Sequence, residues 1–328
     1  MKLLIKKRTR LTGIIVCLVS CLFFFQPGLQ AQDSTAVTED VVVPVKLKPV
    51  KNTFQSIWII DNQTVMVPIK KTFEMDIMHR FGTVDKGYKD FWGFFAPSNI
   101  RLGFSYSPIK DLNLGLGITK SNMLWDASAK YALIKQTKGK YPISMTYYVN
   151  AAFDTRDDPT IYDGSDIKHT SDRILFFNQL IIARKVTDKL SLQVAPSITH
   201  QNAVSGYYTK NDSTGKEIYR SMKQDHFAIA FSARYKLTGV TSLMLNYDQP
   251  LTKHPENNPN PNLSFGVEFN TSSHSFQMFL GNYSLLNQQR NALFNNNSPF
   301  AYTDKASGKK VSGGKFLIGF NITRLWNY

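Results

Sequence analysis

The sequence predicts an all-β protein, a single antiparallel transmembrane β-barrel of about 12 strands with short periplasmic turns and long extracellular loops. Three observations predict this fold. Apolar and polar residues alternate along strand-length segments from about residue 71 to the C-terminus. The connections between these segments alternate between short and long. The N-terminus has the basic and then apolar pattern of a secretion signal.

The clearest alternation is in residues 99–120, NIRLGFSYSPIKDLNLGLGITK. Two sets of apolar residues alternate there with small or polar ones: Ile100, Leu102, Phe104 and Tyr106, then Leu112, Leu114, Leu116 and Ile118. Successive side chains on a strand point to opposite faces, so this is a hairpin with one apolar and one small, polar face. A soluble sandwich could show the pattern once or twice, whereas its repetition behind a secretion signal indicates a closed barrel in an outer membrane.

Residues 1–31 are predicted to be a cleaved signal peptide. The basic segment MKLLIKKRTR precedes an apolar run from Leu11 to Phe25, and the small residue Ala31 marks the expected cut. A helical membrane bundle would need several apolar runs of roughly 20 residues, and this is the only candidate. Lipid attachment at Cys21 is an alternative that the apolar stretch behind it disfavours. Cys17 and Cys21 are the only cysteines, so the mature chain is predicted to lack disulfides and cysteine ligands.

The net charge of the chain limits the classes of partner that it can be expected to bind. The chain has 39 Lys and Arg against 24 Asp and Glu, and the signal removes five basic and no acidic residues, which leaves a net charge of +10. This surface suits lipopolysaccharide phosphates, outer-membrane lipid or an anionic small solute. Nucleic acid is a poor partner because no helical basic stripe is present in a chain that is predicted to be exported. The aromatic C-terminal residue and the alternation before it are typical of strands that engage the barrel-assembly machinery.

Residues 32–70 are predicted to form a periplasmic N-terminal arm. Residues 32–52 mix β-branched residues with Pro44 and Pro49, as in an extended linker. In residues 53–71 an Asp-Asn pair separates two apolar runs, which indicates a hairpin. This hairpin could lie in or across the periplasmic mouth, or it could be an additional pair of strands.

The barrel is predicted to occupy residues 71–328. Its expected strands are 71–82, 98–107, 112–119, 124–135, 142–153, 172–185, 190–201, 225–237, 241–249, 262–270, 275–284 and 314–328. Connections after even-numbered strands are short, such as PIKD and TDK, whereas those after odd-numbered strands include residues 202–224 and 285–313. This alternation is typical of outer-membrane barrels. The strand 172–185 fits least well because both of its faces are largely apolar.

Aromatic residues are predicted to lie at the two membrane interfaces, which amphipathic rings favour. With a periplasmic N-terminus, the inner rim would carry Tyr106, Tyr235, Trp326 and Tyr328. The outer rim would carry Phe81, Trp125, Phe153, Phe227 and Tyr247.

Nine charged residues are predicted to face the interior and are the candidates for selectivity: Glu74, Asp76, Arg80, Arg101, Asp126, Lys130, Arg234, Lys236 and Glu268. Charges that face away from lipid must be hydrated or paired. They could set the ion or solute selectivity of a polar lumen, or they could form a salt-bridged ladder that fills a narrow barrel. About 12 strands lies between filled small barrels and open porins, and a filled or nearly filled lumen is favoured. The inward Gly103, Gly115, Gly117 and Gly266 leave space for a plug or for water.

No catalytic residue, metal site or cofactor is predicted. No GxSxG motif is present, and the histidines show no pairing at ligand spacing, although His200 and His226 could approach across neighbouring strands. The aromatic segment VDKGYKDFWGFFAPS could be a constriction, a lipid anchor or an ordinary outer loop. The Asn-rich segment 287–310 is predicted to be solvated surface.

In MHRFGTVDKGYKDFWGFFAPSNIRLGFSYSPIKDLNLGLGIT and LWDASAKYALIKQ the chain resembles a known family. It is the uncharacterised outer-membrane β-barrel family of Bacteroidota labelled as domain of unknown function 5777. The resemblance is carried by HRFG at 79–82, by the strands IRLGFSYS and LNLGLGIT, and by Lys130-Tyr131 with a following Gln136. It spans roughly residue 53 to the C-terminus and implies an outer-membrane barrel. It supplies no established activity, so no catalytic residue is carried over.

Two functions from different classes follow as hypotheses. The first is a narrow outer-membrane channel or small-solute carrier whose inward charges set selectivity. The second is a closed structural or interaction barrel that acts through its loops or its N-terminal arm. An outer-membrane enzyme is less favoured, because it would need a Ser-His or Asp-His cluster assembled at one rim.

Overall fold

The computed structural model describes residues 47–157, 167, 169–204, 206–210, 213–215, 217–254, 258–303, 308 and 310–327. The predicted signal peptide, the cut after Ala31 and the lipidation candidate Cys21 lie outside the described residues. The strands are β1 Trp58–Ile59, β2 Asn62–Gln63, β3 Thr72–Thr83, β4 Asn99–Tyr106, β5 Leu112–Thr119, β6 Leu124–Ile134, β7 Ser144–Asp154, β8 Ile174–Lys185, β9 Leu190–Gln201, β10 Gly206–Lys210, β11 Glu217–Ser221, β12 Asp225–Lys236, β13 Thr241–Pro250, β14 Asn262–Asn270, β15 His274–Gly281, β16 Tyr302–Thr303, β17 Lys310–Val311 and β18 Leu317–Asn327. Among the described residues one α-helix, α1, spans Gln288–Phe294.

Twelve of these strands, β3–β9, β12–β15 and β18, form a closed antiparallel barrel, which confirms the predicted fold. Their bounds agree with the predicted ones to within three residues. Consecutive barrel strands are neighbours, and β18 closes the ring against β3 with Phe320 opposite His79 and Trp326 opposite Phe73. No barrel strand is left with a free edge, as the water-free interior of a membrane requires.

The outer face of the barrel is apolar. Leu116 and Trp125 keep 63% and 59% of their surface exposed although they lie in the middle and at the end of barrel strands. Of their inward neighbours, Gly117, Leu124 and Asp126 are buried and Gly115 is half-buried, in line with the predicted alternation. Exposed apolar side chains on a continuous strand ladder are the form of surface that lipid covers.

Most of the predicted aromatic residues lie at the strand ends where interfaces are expected. Tyr106, Tyr235 and Trp326 lie at the end with the short turns, where the Trp326 ring is 5.6 Å from that of Phe73. At the other end Trp125 lies opposite Phe153. The remaining outer-rim residues are Phe81 and Tyr247, which are half-buried, and Phe227, which is exposed. Tyr328 lies outside the described residues.

The aromatic segment between β3 and β4 packs against the outer face of the barrel. The ring of Phe94 is 4.5 Å from that of Phe81, and the backbone N–H of Gly82 donates to the carbonyl of Gly93. This segment contains a 3₁₀ helix at Val84–Asp90. Its placement does not support a constriction and leaves the lipid-anchor and ordinary-loop interpretations. No helix among the described residues is long and apolar enough to cross a membrane.

Candidate functional site: the interior of the barrel

The N-terminal hairpin lies inside the barrel. We call residues 53–65 the plug, and all of them except Gln55 are buried. Strands β1 and β2 pair only with each other, as a separate two-stranded sheet. Just before the plug, the Val50 N–H donates to the carbonyl of Gln136 in the β6–β7 turn at 2.7 Å. The plug therefore enters from the end with the short turns, which is the predicted periplasmic end.

Amide side chains of the wall bind the backbone of the plug. Gln277 accepts from the Ile60 N–H at 3.0 Å and donates to the Trp58 carbonyl at 3.0 Å. Gln193 of β9 accepts from the Val65 N–H at 3.1 Å and donates to another plug carbonyl. Buried backbone groups require such partners, and the short β1–β2 ladder cannot supply them.

Apolar side chains of the plug pack on one side of the wall. Phe54, Ile59, Ile60 and Val65 form one buried cluster with inward residues that include Tyr148, Phe177, Ile181, Ala183, Ala195, Ala230, Met244 and Phe279. Phe177 and Ile181 belong to β8, the strand whose two faces are both apolar in sequence. The plug explains this departure from alternation, because the inward face of β8 packs against protein and not against water.

Two of the predicted inward cations bind the plug. Arg80 is fully buried, and its Nη2 lies 2.5 Å from Oδ1 of Asp61 at the tip of the hairpin. The same guanidinium donates to Oδ1 of Asn321 at 3.0 Å. Lys130 donates from Nζ to Oε1 of Gln63 at 2.8 Å. These cations therefore connect the wall to the plug.

A second group of predicted residues forms an ion triad within the wall. Arg101 donates from Nη1 to Asp76 and from Nη2 to Asp126, each at 2.8 Å, and all three side chains are buried. A Cβ added at Gly103 would collide with the Asp76 carboxylate, and one at Gly117 would collide with the guanidinium. The space left by these two glycines is thus taken by the wall's own ion triad, and not by the plug or water as predicted.

The other predicted inward residues differ in their surroundings. Arg234 and Glu268 form a buried ion pair with Nε and Oε2 2.6 Å apart. Glu74 is 1% exposed, and neither of its carboxylate oxygens has a hydrogen-bond partner. Lys236 is only half-buried, because β12 ends there, so this residue is not part of the enclosed interior as predicted.

Residues 287–299 of the Asn-rich segment enter the barrel from the other end, which corrects the prediction that they are solvated surface, whereas the described residues 300–303, 308 and 310 are exposed as predicted. In α1, Gln289 is fully buried, and its Nε2 donates to Oδ1 of Asn150 at 2.6 Å. Just before α1, Leu286 packs in a cluster with Ile57 and Trp58 of the plug. Polar side chains can be buried here because the wall offers hydrogen-bond partners. The plug and this loop therefore meet and occupy the interior from both ends.

The histidines pair differently from the predicted approach of His200 and His226. His200 Nδ1 lies 2.8 Å from Asp225, whereas His226 Nδ1 lies 3.1 Å from Nε2 of His254, in the connection after β13. The Lys223 N–H donates to Nδ1 of His254, so the Nε2 of His254 carries the proton that it donates to His226. Burial and the nearby Lys223 lower the pKa of His254. Among the described residues no three His, Cys, Asp or Glu side chains gather as a metal site would require.

The main plug-binding side chains were missed in the sequence. Gln193, Gln277 and Asn321 bind the plug backbone, as does Asn246 through the Ile59 carbonyl at 2.5 Å. A signal was present, because Asn and Gln recur at inward strand positions although Asn is depleted in strands.

A family model that matches nearly the whole described chain shows which family the chain belongs to. Residues 54–326 match a family model described as a membrane-bound β-barrel domain, DUF5777. This range begins in the plug and ends in the closing strand. The chain belongs to this family. The DUF5777 match and the closed ladder with its apolar exterior make the protein an outer-membrane β-barrel. A comparison with curated proteins found no match.

Solved structures of similar form include two porins and a transporter. The NanC porin is 7% identical with a TM-score of 0.41, covering 78% of this chain and 99% of its own. The KdgM porin is 10% identical with a TM-score of 0.39, covering 78% and 99%. The toluene transporter TbuX of Ralstonia pickettii is 10% identical with a TM-score of 0.36, covering 81% and 91%. At these values the similarity concerns the barrel form alone.

Proposed function

We propose that this DUF5777 protein is a gated outer-membrane channel or carrier for small solutes, closed by its own plug. The observation that carries the proposal is that the plug is a separate hairpin inside the barrel. It is bound to the wall by side chains and not by the main-chain ladder that holds the barrel together. The plug can therefore leave the interior without breaking a single hydrogen bond between barrel strands.

The chemistry of the wall supports this mechanism. Side chains such as Gln193 and Gln277 and the cations Arg80 and Lys130 would be hydrated after the plug leaves, so the open barrel would hold water. The ion triad of Asp76, Arg101 and Asp126 and the Arg234–Glu268 pair would remain in the wall and line the opening. They are the candidates for selectivity once the interior is open.

A closed structural or interaction barrel is the second candidate function. It is favoured by the contact of Leu286 with Ile57 and Trp58, which joins the outer loop to the plug across the interior. In that case the plug never leaves, and the loops or residues preceding the plug would bind a partner.

Single-channel recording in planar bilayers distinguishes the two candidates. The full chain should show rare steps, and Asp61→Asn, which weakens the binding of the plug to Arg80, should show far more frequent steps of the same size. Heat-modifiable migration on a gel verifies that each preparation is folded. Silence of both folded proteins would contradict the channel proposal and leave the closed barrel.

A further inference from the structure

A cavity lies between the plug and the wall at the end of the barrel with the short turns. Its volume is about 340 Å³, near the lower limit for sites that bind small molecules. It is bounded by the beginning of β3, the end of β18, the β14–β15 turn and the segment 66–69 that connects the plug to β3. A solute in the periplasm would therefore reach this cavity before the rest of the interior.

Most of the cavity wall is apolar. Its apolar lining consists of Ile57, Met66, Val67, Pro68, Ile69 and Leu325. Small hydroxyl groups from Thr72 and two serines of the β14–β15 turn contribute the polar part, together with side chains from the plug and the end of β18. The one acidic side chain that lines the cavity is that of Glu74. A ligand that fits would thus be mainly apolar and would carry one polar group.

Glu74 has no hydrogen-bond partner, although it is buried. Its neighbours include two acidic side chains, Asp76 and Asp126, and two basic ones, Arg101 and Lys130. Arg101 binds both of the other acids, and Lys130 attracts Glu74 electrostatically but donates its hydrogen bonds to the plug. With all five groups ionised, the cluster has one negative charge in excess. An unpaired buried carboxylate is costly, and a bound cation would remove that cost.

We infer that this cavity binds a small organic cation, with its apolar part against the plug and the 66–69 segment and its ammonium group on Glu74, whose covered carboxylate turns toward the cavity when the ligand binds. A metal ion suits the cavity less well, because hard cations require about six oxygen ligands and the lining is mainly apolar. The inference deepens the proposed function, since it names amphipathic amines as the class of solute. The ligand would touch the plug, so its binding would also be sensitive to opening.

Binding of phenethylammonium to the full-length protein in detergent tests this inference by isothermal titration calorimetry. Phenethyl alcohol and 3-phenylpropionate are the neutral and anionic probes of similar shape. We expect the amine to bind at least about tenfold more tightly than either, as expected for a charge-assisted hydrogen bond in a buried site. Equal binding of the three probes, or no binding of the amine, would overturn the inference.

Two variants locate the site. Glu74→Gln keeps the size of the side chain and should weaken amine binding by about tenfold or more. Asp154→Asn changes a buried carboxylate that pairs with Arg156 at the other end of the barrel, outside the cavity lining, and it should bind as the unaltered protein does. Undiminished binding by folded Glu74→Gln would overturn the inference, as would displacement of the amine by equimolar calcium. Single-channel steps test the proposed function separately, because a barrel can bind the amine without conducting.

Discussion

Asp61→Asn should release the plug, and the size of the effect can be worked out from the contacts of Arg80. The substitution keeps the shape of the side chain and removes the charge 2.5 Å from the guanidinium. Breaking a buried ion pair by removing one partner costs about 3–5 kcal/mol. Arg80 keeps Asn321, the His79 carbonyl and a position 4.4 Å from the ring centre of Phe279. We therefore expect the closed state to lose about 2–3 kcal/mol, which is a roughly 30- to 150-fold rise in the open population.

A buried thiol reports that population. Val65→Cys places a reporter in the plug at a site that is 6% exposed, in a chain whose Cys17 and Cys21 are replaced by serine. When closing is faster than the reaction, the rate of labelling by a polar maleimide follows the open fraction. The labelling rate should rise by the same 30- to 150-fold factor in Asp61→Asn.

The matched control breaks a buried ion pair that does not touch the plug. Asp154 pairs with Arg156 at the far end of β7, with side chains 5% and 9% exposed. Asp154→Asn should leave the labelling of Val65→Cys unchanged. The reasoning is refuted if Asp61→Asn labels within twofold of the parent, or if Asp154→Asn accelerates labelling as much.

Three further predictions concern the wall, the outer loop and pH. Gly117→Ala pushes a methyl group into the guanidinium of the ion triad and should cost about 1–3 kcal/mol of unfolding free energy in urea, whereas Gly239→Ala, with no atom within 4 Å of the added carbon, should cost little. Gln289→Ala removes the 2.6 Å hydrogen bond to Asn150, which should lower the local stability of α1 by about 1 kcal/mol. Amide hydrogen exchange in α1 should therefore become roughly fivefold faster, and unchanged exchange there would contradict the prediction. The lowered pKa of His254 means that the folded β13–β14 connection disfavours protonation of this histidine. The contribution of His254 to the stability of this connection should be complete above the ordinary pKa near 6.5 and should fall as the pH drops below that value. Amide hydrogen exchange in the described residues 251–254 and 258–261 should therefore accelerate between pH 7 and 5 in the parent protein and not in His254→Gln.

The barrel strands could be predicted from sequence because lipid outside the ring imposes a strict rule on every second residue. In β4 and β5, each outward residue is apolar and each inward one is small or polar, so both register and bounds follow. The inward direction of Asp76, Arg101 and Asp126 follows from the same parity. Their assembly into one ion triad does not, because parity gives a face and not the partner on a neighbouring strand.

The contents of the interior could not be predicted in the same way. Asn and Gln side chains in the segment 287–310 satisfy their hydrogen bonds equally well in water or against an amide-bearing wall, so polarity alone does not indicate exposure. The apolar inward residues of β8 were the clue to the plug, since Phe177 and Ile181 need an apolar partner inside. Without a known partner, the same pattern indicates only a strand that alternates poorly.

A reversible tether between the plug and the wall tests the gating mechanism most directly. Gln63 and Lys130 meet across this boundary, with 2.8 Å between Oε1 and Nζ. In Gln63→Cys/Lys130→Cys, both native cysteines replaced by serine, a short disulfide-forming cross-linker should abolish single-channel steps, and a reductant should restore them. Steps of unchanged size and frequency in the fully cross-linked barrel would show that ions do not pass where the plug lies, and would contradict the account.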